Sequence, residues 1–230
     1  MTDVAVDLGC LAGRTFAGVL FDMDGTLIDS TASVERCWAT WAGEFDVALA
    51  DLQGWHGVPA LGVITHFVAP EFVEAADRRL RELEIGDARD IPMLAGGAES
   101  LAALADSGRV GIATSCTDDL ALARFAASGL IPPPVVVTAS QVAHGKPHPD
   151  PYLEAARRLG LDPADCLVVE DAPAGLASAK AAGCATLAVV TTTGRDALVA
   201  TDNADAVVPD LASVRFVVDD SGIRLLPAVD

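Results

Sequence analysis

AGVLFDMDGTL, residues 17–27, decides the architecture. Residues 17–21 are apolar without interruption. A strand covered on both faces has no solvent side to mark with polar residues, so it reads as such a run rather than as an alternation. Two carboxylates, Asp22 and Asp24, follow at once, and Gly25 allows a turn that a Cβ would hinder. Asp and Gly are also common in plain surface turns, so the tetrapeptide alone leaves that reading open. The apolar strand directly before it argues for more.

Working outward, short apolar runs recur at 109–114, 135–138, 166–170 and 185–190, with a weaker one at 205–208. Between them lie Ala-rich segments of helical spacing, at 98–106, 118–127, 150–159 and 173–182. The alternation predicts an α/β fold, a doubly wound parallel sheet of Rossmann-like type with right-handed crossovers. Functional groups in such sheets gather past the carboxyl ends of the strands. Residues 31–92 break the alternation. They contain no strand signal and read as helices at 33–45, 59–68 and 71–83, with Ser33 as an N-cap and Trp38 and Trp41 on one face. The expected organisation is an α/β core, 1–30 and 93–230, and a helical cap, 31–92, inserted after the first strand. Small residues, a proline and Gly96-Gly97 near the two junctions suit hinges. Residues 214–219 and 222–225 have the pattern of a terminal hairpin.

Composition narrows the function. The chain has 230 residues, 51% hydrophobic and 21% charged, with a formal net charge of −18. Such a surface repels nucleic acid and anionic lipid. No apolar run reaches the ~18 residues that a membrane helix needs. The first ten residues carry two acids and no basic stretch, unlike a signal peptide, so cytoplasmic residence is expected. Five scattered cysteines with no CxxC pair suit reduced, buried thiols. The expected partner is a small molecule, and the expected oligomeric state is monomer or dimer.

The other strand ends repeat the first. Thr114 and Ser115 close the second strand before a helix N-terminus, where hydroxyls and free amides can hold an anion; ordinary capping by Thr117 or Asp118 uses the same residue types. Lys146 is one of only two lysines and lies in the Gly/Pro-rich HGKPHPDP loop, residues 144–151. Glu170 and Asp171 end the fourth strand, and a helix follows. Singly, each piece has a plain reading as a solvated loop or a helix-end charge. Four in order, each at the end of a strand, make one constellation.

That constellation resembles the haloacid dehalogenase superfamily. The sugar- and polyol-phosphate phosphatases within it are the nearest match, on Asp22–Leu27, Ala113–Ser115, the GKPHPDPY of 145–152 and the VEDAPAGLASAKAAG of 169–183. Trp55-His56-Gly57 and FVAPEF at 67–72 resemble their cap. The resemblance implies that Asp22 attacks phosphorus to give an aspartyl-phosphate, and that Asp24 acts as acid and then base. It implies that Thr114, Ser115 and Lys146 hold the phosphate. A Mg2+ ion would be held by Asp22, the Asp24 carbonyl, Asp171 and Glu170. His56 and Gly57 are candidate substrate contacts; Trp38, Trp41 and Trp55 either line the cap or pack it.

The β-phosphoglucomutase type shares both aspartates, but it carries a histidine where this chain has Val34. An arginine common after the cap glycine is replaced by Ala60, which removes one cationic contact and leaves the substrate open. Dehalogenases lack the second acid, here Asp24. A non-enzymatic binding protein on this fold would be expected to lose a motif, and none is lost.

Overall fold

A computed structural model describes residues 6–52 and 60–228. The elements run β1 (Thr15–Phe16), β2 (Gly18–Phe21), α1 (Thr31–Glu44), α2 (Ala60–Phe67), α3 (Val73–Gly86), α4 (Gly97–Leu104) and β3 (Val110–Ala113). Then come α5 (Asp118–Ser128), β4 (Val135–Val137), α6 (Asp150–Leu159), β5 (Cys166–Glu170), α7 (Pro173–Ala181) and β6 (Ala185–Val189). The chain closes with α8 (Arg195–Ala200), β7 (Ala206–Val208), β8 (Val214–Asp219) and β9 (Gly222–Pro227).

Six strands form a parallel sheet in the order β4-β3-β2-β5-β6-β7. The apolar runs follow from burial on both faces. Val19 and Phe21 of β2 enter a cluster with Ile112, Leu104 and Leu120, while Leu20 between them packs with Tyr152, Ala155 and Val168. No face of β2 meets water, so no polar residue interrupts it.

The strand order places the chemistry. From β2 the chain steps to β3 and β4 on one side, then crosses back to build β5, β6 and β7 on the other. The neighbours β2 and β5 therefore bound the point where the winding reverses, the place where functional groups gather in open α/β sheets.

The helical insert between β2 and β3 has its own small core. Trp41, Ile64, Ala76 and Leu80 are buried together, and the Trp41 indole donates to the Ala76 carbonyl at 3.0 Å. Trp41 is thus a packing residue, and half-buried Trp38 leans edge-on against it. The two connecting segments lie side by side: Asp29 N donates to Pro92 O, and Leu94 N to Leu27 O. Ser33 does not cap α1 as the sequence suggested. The helix begins at Thr31, and the Ser33 hydroxyl donates to the Asp87 carbonyl, tying α1 to the end of α3.

The terminal hairpin forms, with β8 and β9 antiparallel. It gains a third strand that the sequence did not signal, since the two-residue β1 pairs with β9. Phe216 from this small sheet meets Phe21 edge-on and covers one face of the main sheet.

Candidate active site

Asp22 sits one residue beyond β2. Its backbone N–H donates to Val169 O of β5 at 3.0 Å, which carries the ladder past the strand and brings the Asp22 side chain beside the end of β5. The chain then turns through Gly25 at φ +83°, where Gly25 N donates to Ile28 O. A Cβ at Gly25 would collide with the Asp171 carboxylate, so this glycine is what lets the first loop close on the fourth strand's acids.

Glu170, the last residue of β5, is buried. One carboxylate oxygen accepts from Lys146 Nζ at 2.6 Å and from the Tyr152 hydroxyl at 2.7 Å. The other accepts from the backbone N–H groups of Asp171 and Ala172. Gly175 in the first turn of α7 makes room, because a Cβ there would overlap the Glu170 carboxylate. Asp171 accepts from the Thr26 hydroxyl at 3.3 Å and from Thr192. Thr191 donates to the Gly25 carbonyl.

Lys146 reaches in from the loop between β4 and α6. Its ammonium lies 2.5 Å from Asp22 Oδ1, and its side chain is 6% exposed. Thr114 is buried at the end of β3, with its hydroxyl accepting from Cys116 N. Ser115 beside it is exposed. Asp24 has a separate set of partners. Its Oδ2 accepts from Arg124 Nη1 at 2.6 Å and from the Cys116 thiol at 3.1 Å, and its Oδ1 is buried without a hydrogen-bond partner. Candidate residues His56 and Gly57, with Trp55, lie outside the described residues.

The electrostatics are those of a crowded anionic pocket. Burial drives the Asp22 carboxyl well above its ordinary range; Lys146 pulls it back, while Glu170, Asp171 and Asp24 push it further. Burial and then Glu170 raise Asp171 to about 7. Burial pulls the Lys146 ammonium down, but Asp22 and Glu170 outweigh it and hold the lysine firmly charged. Asp22, Glu170 and Asp171 offer oxygens that all lie within 4.8 Å of one another. Three carboxylates share one ammonium, so full ionisation leaves two negative charges unmatched. An all-oxygen set with that deficit fits a hard divalent cation. Among the described residues a second cluster, His144, His148 and Asp150, also has metal-ligand types in reach. It is a surface group in which His144 hydrogen-bonds to one Asp150 oxygen and His148 Nδ1 lies 2.9 Å from the other.

Arg124, Tyr152 and the two threonines were not singled out from the sequence. Arg124 had a signal: it occupies the buried stripe of α5 with Leu120 and Ala121, where an unpaired charge is costly. Thr191 and Thr192 also had one, as hydroxyls directly after the apolar run of β6.

The comparisons with known proteins show the family. A family model described as haloacid dehalogenase-like hydrolase matches residues 16–183. Hexitol phosphatase A of Escherichia coli K12 is 42% identical over 177 residues, 75% of this chain and 82% of that protein. Glycerol-1-phosphate phosphohydrolase 2 of Saccharomyces cerevisiae is 36% identical over 194 residues, 78% of this chain and 76% of that one. A hydrolase from Pseudomonas syringae superposes with a TM-score of 0.74 at 25% identity, over 85% of this chain and 94% of its own.

Proposed function

The chain belongs to the haloacid dehalogenase-like hydrolases, and on that premise we propose that it hydrolyses the phosphate monoester of a small sugar or polyol, with Mg2+ as cofactor. The observation that carries this reading is the buried group of Asp22, Glu170 and Asp171 around Lys146, at the winding reversal of the sheet. Phosphatases of hexitol and glycerol phosphates among its relatives support the substrate class.

Asp22 is the proposed nucleophile. Its carboxylate attacks phosphorus, and the alcohol leaves as an aspartyl-phosphate forms. Lys146 steadies the attacking carboxylate and receives phosphate oxygens, with Thr114 and the Ser115 amide beside it. Asp24 gives a proton to the departing alcohol and later takes one from the water that hydrolyses the intermediate. Asp22, the Asp24 carbonyl, Asp171 and Glu170 are the proposed metal ligands. Glu170 already serves Lys146, Tyr152 and two amides, so a bound ion would share it or reach it through water. Mg2+ supplies charge neutralisation, easing the approach of a carboxylate to a phosphate dianion.

The helical insert, 31–92, is the proposed cap over the core of 1–30 and 93–230. It shuts water out and selects the alcohol; His56 and Gly57 are its proposed substrate contacts. Among the described residues no helix is long and apolar enough to cross a membrane. The enzyme is proposed to be cytoplasmic, monomer or dimer, and its net charge of −18 disfavours a nucleic-acid partner.

A phosphate-release screen tests the function. Hexitol, hexose, deoxyhexose and glycerol phosphates are offered with Mg2+, after chelation and after Mg2+ is restored, with glucose 1-phosphate included as a mutase probe. Release from one or more of these esters, lost on chelation and regained with Mg2+, is the expected result. No release from any of them, or conversion of glucose 1-phosphate to its 6-phosphate isomer, contradicts the reading.

A further inference from the structure

Arg124 lies where the helical insert meets the core. It belongs to α5, whose neighbour across the seam is α3 of the insert. Its side chain is 5% exposed, and its two terminal nitrogens serve different elements: Nη1 pairs with Asp24 at 2.6 Å, and Nη2 reaches Glu84 of α3 at 3.4 Å. Nη1 also donates to the Cys116 sulfur at 3.0 Å. The guanidinium is planar, so its two ends cannot be aimed independently. A shift of Glu84 at one end is therefore felt at the other, where Asp24 sits.

We propose that Arg124 is a positioning residue: it fixes the Asp24 carboxyl through Oδ2, leaves Oδ1 as the oxygen that exchanges a proton with the leaving group, and ties that orientation to helix α3 through Glu84. The asymmetry at Asp24 supports this. Oδ2 is held by Arg124 and Cys116, while Oδ1 is buried with no partner. A buried polar atom without a partner is uncommon and costly unless something else uses it. The coupling is reciprocal, because whatever fixes Asp24 also biases where Glu84, and so α3, rests.

This inference rests on the phosphatase reading, and its test separates the two. Phenyl phosphate and p-nitrophenyl phosphate have nearly the same shape, but only the phenolate needs a proton as it leaves. kcat/KM reports the steps up to that departure. In Arg124→Gln the ratio of kcat/KM for phenyl phosphate over p-nitrophenyl phosphate should fall at least about tenfold, as when an acid is misaligned. Arg124→Lys should recover part of the ratio. Glu84→Gln should lower it less. The double variant should fall no further than Arg124→Gln, because Glu84 acts through the arginine. Glu84→Gln also serves where Arg124→Gln does not fold. A ratio unchanged in Glu84→Gln and in every folded Arg124 variant overturns the positioning role, as do losses from the two sites that simply add. A wild-type protein inactive on both esters overturns the phosphatase reading itself.

Discussion

The Lys146 ammonium stands between two buried carboxylates, 2.5 Å from Asp22 and 2.6 Å from Glu170. Lys146→Met keeps the length of the side chain and removes the charge. It leaves the two acids facing each other without a cation, and breaking such a buried pair costs about 3–5 kcal/mol. Urea unfolding of the metal-free variant should show a loss on that scale, with part of it regained on adding Mg2+; a loss within the error of the measurement would show that the lysine is not part of the acids' charge balance. Asp22, Asp24, Glu170 and Asp171 were legible in the sequence because they follow apolar runs that burial on two faces makes unmistakable, and Lys146 because it is one of only two lysines and lies in a Gly/Pro-rich loop. Arg124 was harder. Its partner Asp24 is one hundred residues away in the chain, and only its place on the buried stripe of α5 marked it.

At the scale of elements, the helical insert is held by its own core. Trp41 fills its centre, stacked on Phe45 and bonded to Ala76 O. Trp41→Ala should destabilise the insert by about 3–5 kcal/mol, the usual cost of emptying such a site. Hydrogen exchange should then speed up in α1 and α3 while β2, β3 and β5 stay protected. Equal loss in those strands would show that insert and sheet unfold as one unit. The parallel strands and their helices were readable from period and length alone. Missing were α8, six residues just after Thr191-Thr192-Thr193-Gly194, and β1, two residues that become a strand only because β9 lies beside them. Pairing of that kind is decided by tertiary contact, not by local pattern.

For the whole molecule, a net charge of −18 and a site for phosphate are compatible because the decisive charges act at short range. Surface charge is screened over about 8–10 Å. The titration of the site has consequences for stability. Asp171 rises from 3.8 to about 7 in the metal-free fold. A raised carboxyl keeps its proton longer when folded than when unfolded. Its contribution to stability is therefore full below the ordinary carboxylate range and is lost as pH climbs to about 7. A cation needs the deprotonated form. The rise in Tm produced by Mg2+ should thus be small near about pH 5 and grow through about pH 7, where proton competition ends. A rise independent of pH over that range would contradict the assignment of Asp171 as a ligand.

The proposed reaction depends above all on a carboxylate at residue 22 attacking phosphorus. Asp22→Asn preserves its shape and removes the nucleophile. Assayed on p-nitrophenyl phosphate with Mg2+, and with circular dichroism to verify the fold, the variant should lose turnover by at least about a thousandfold, the scale on which loss of a covalent nucleophile is felt. A folded Asp22→Asn protein that keeps a tenth or more of the activity would contradict it.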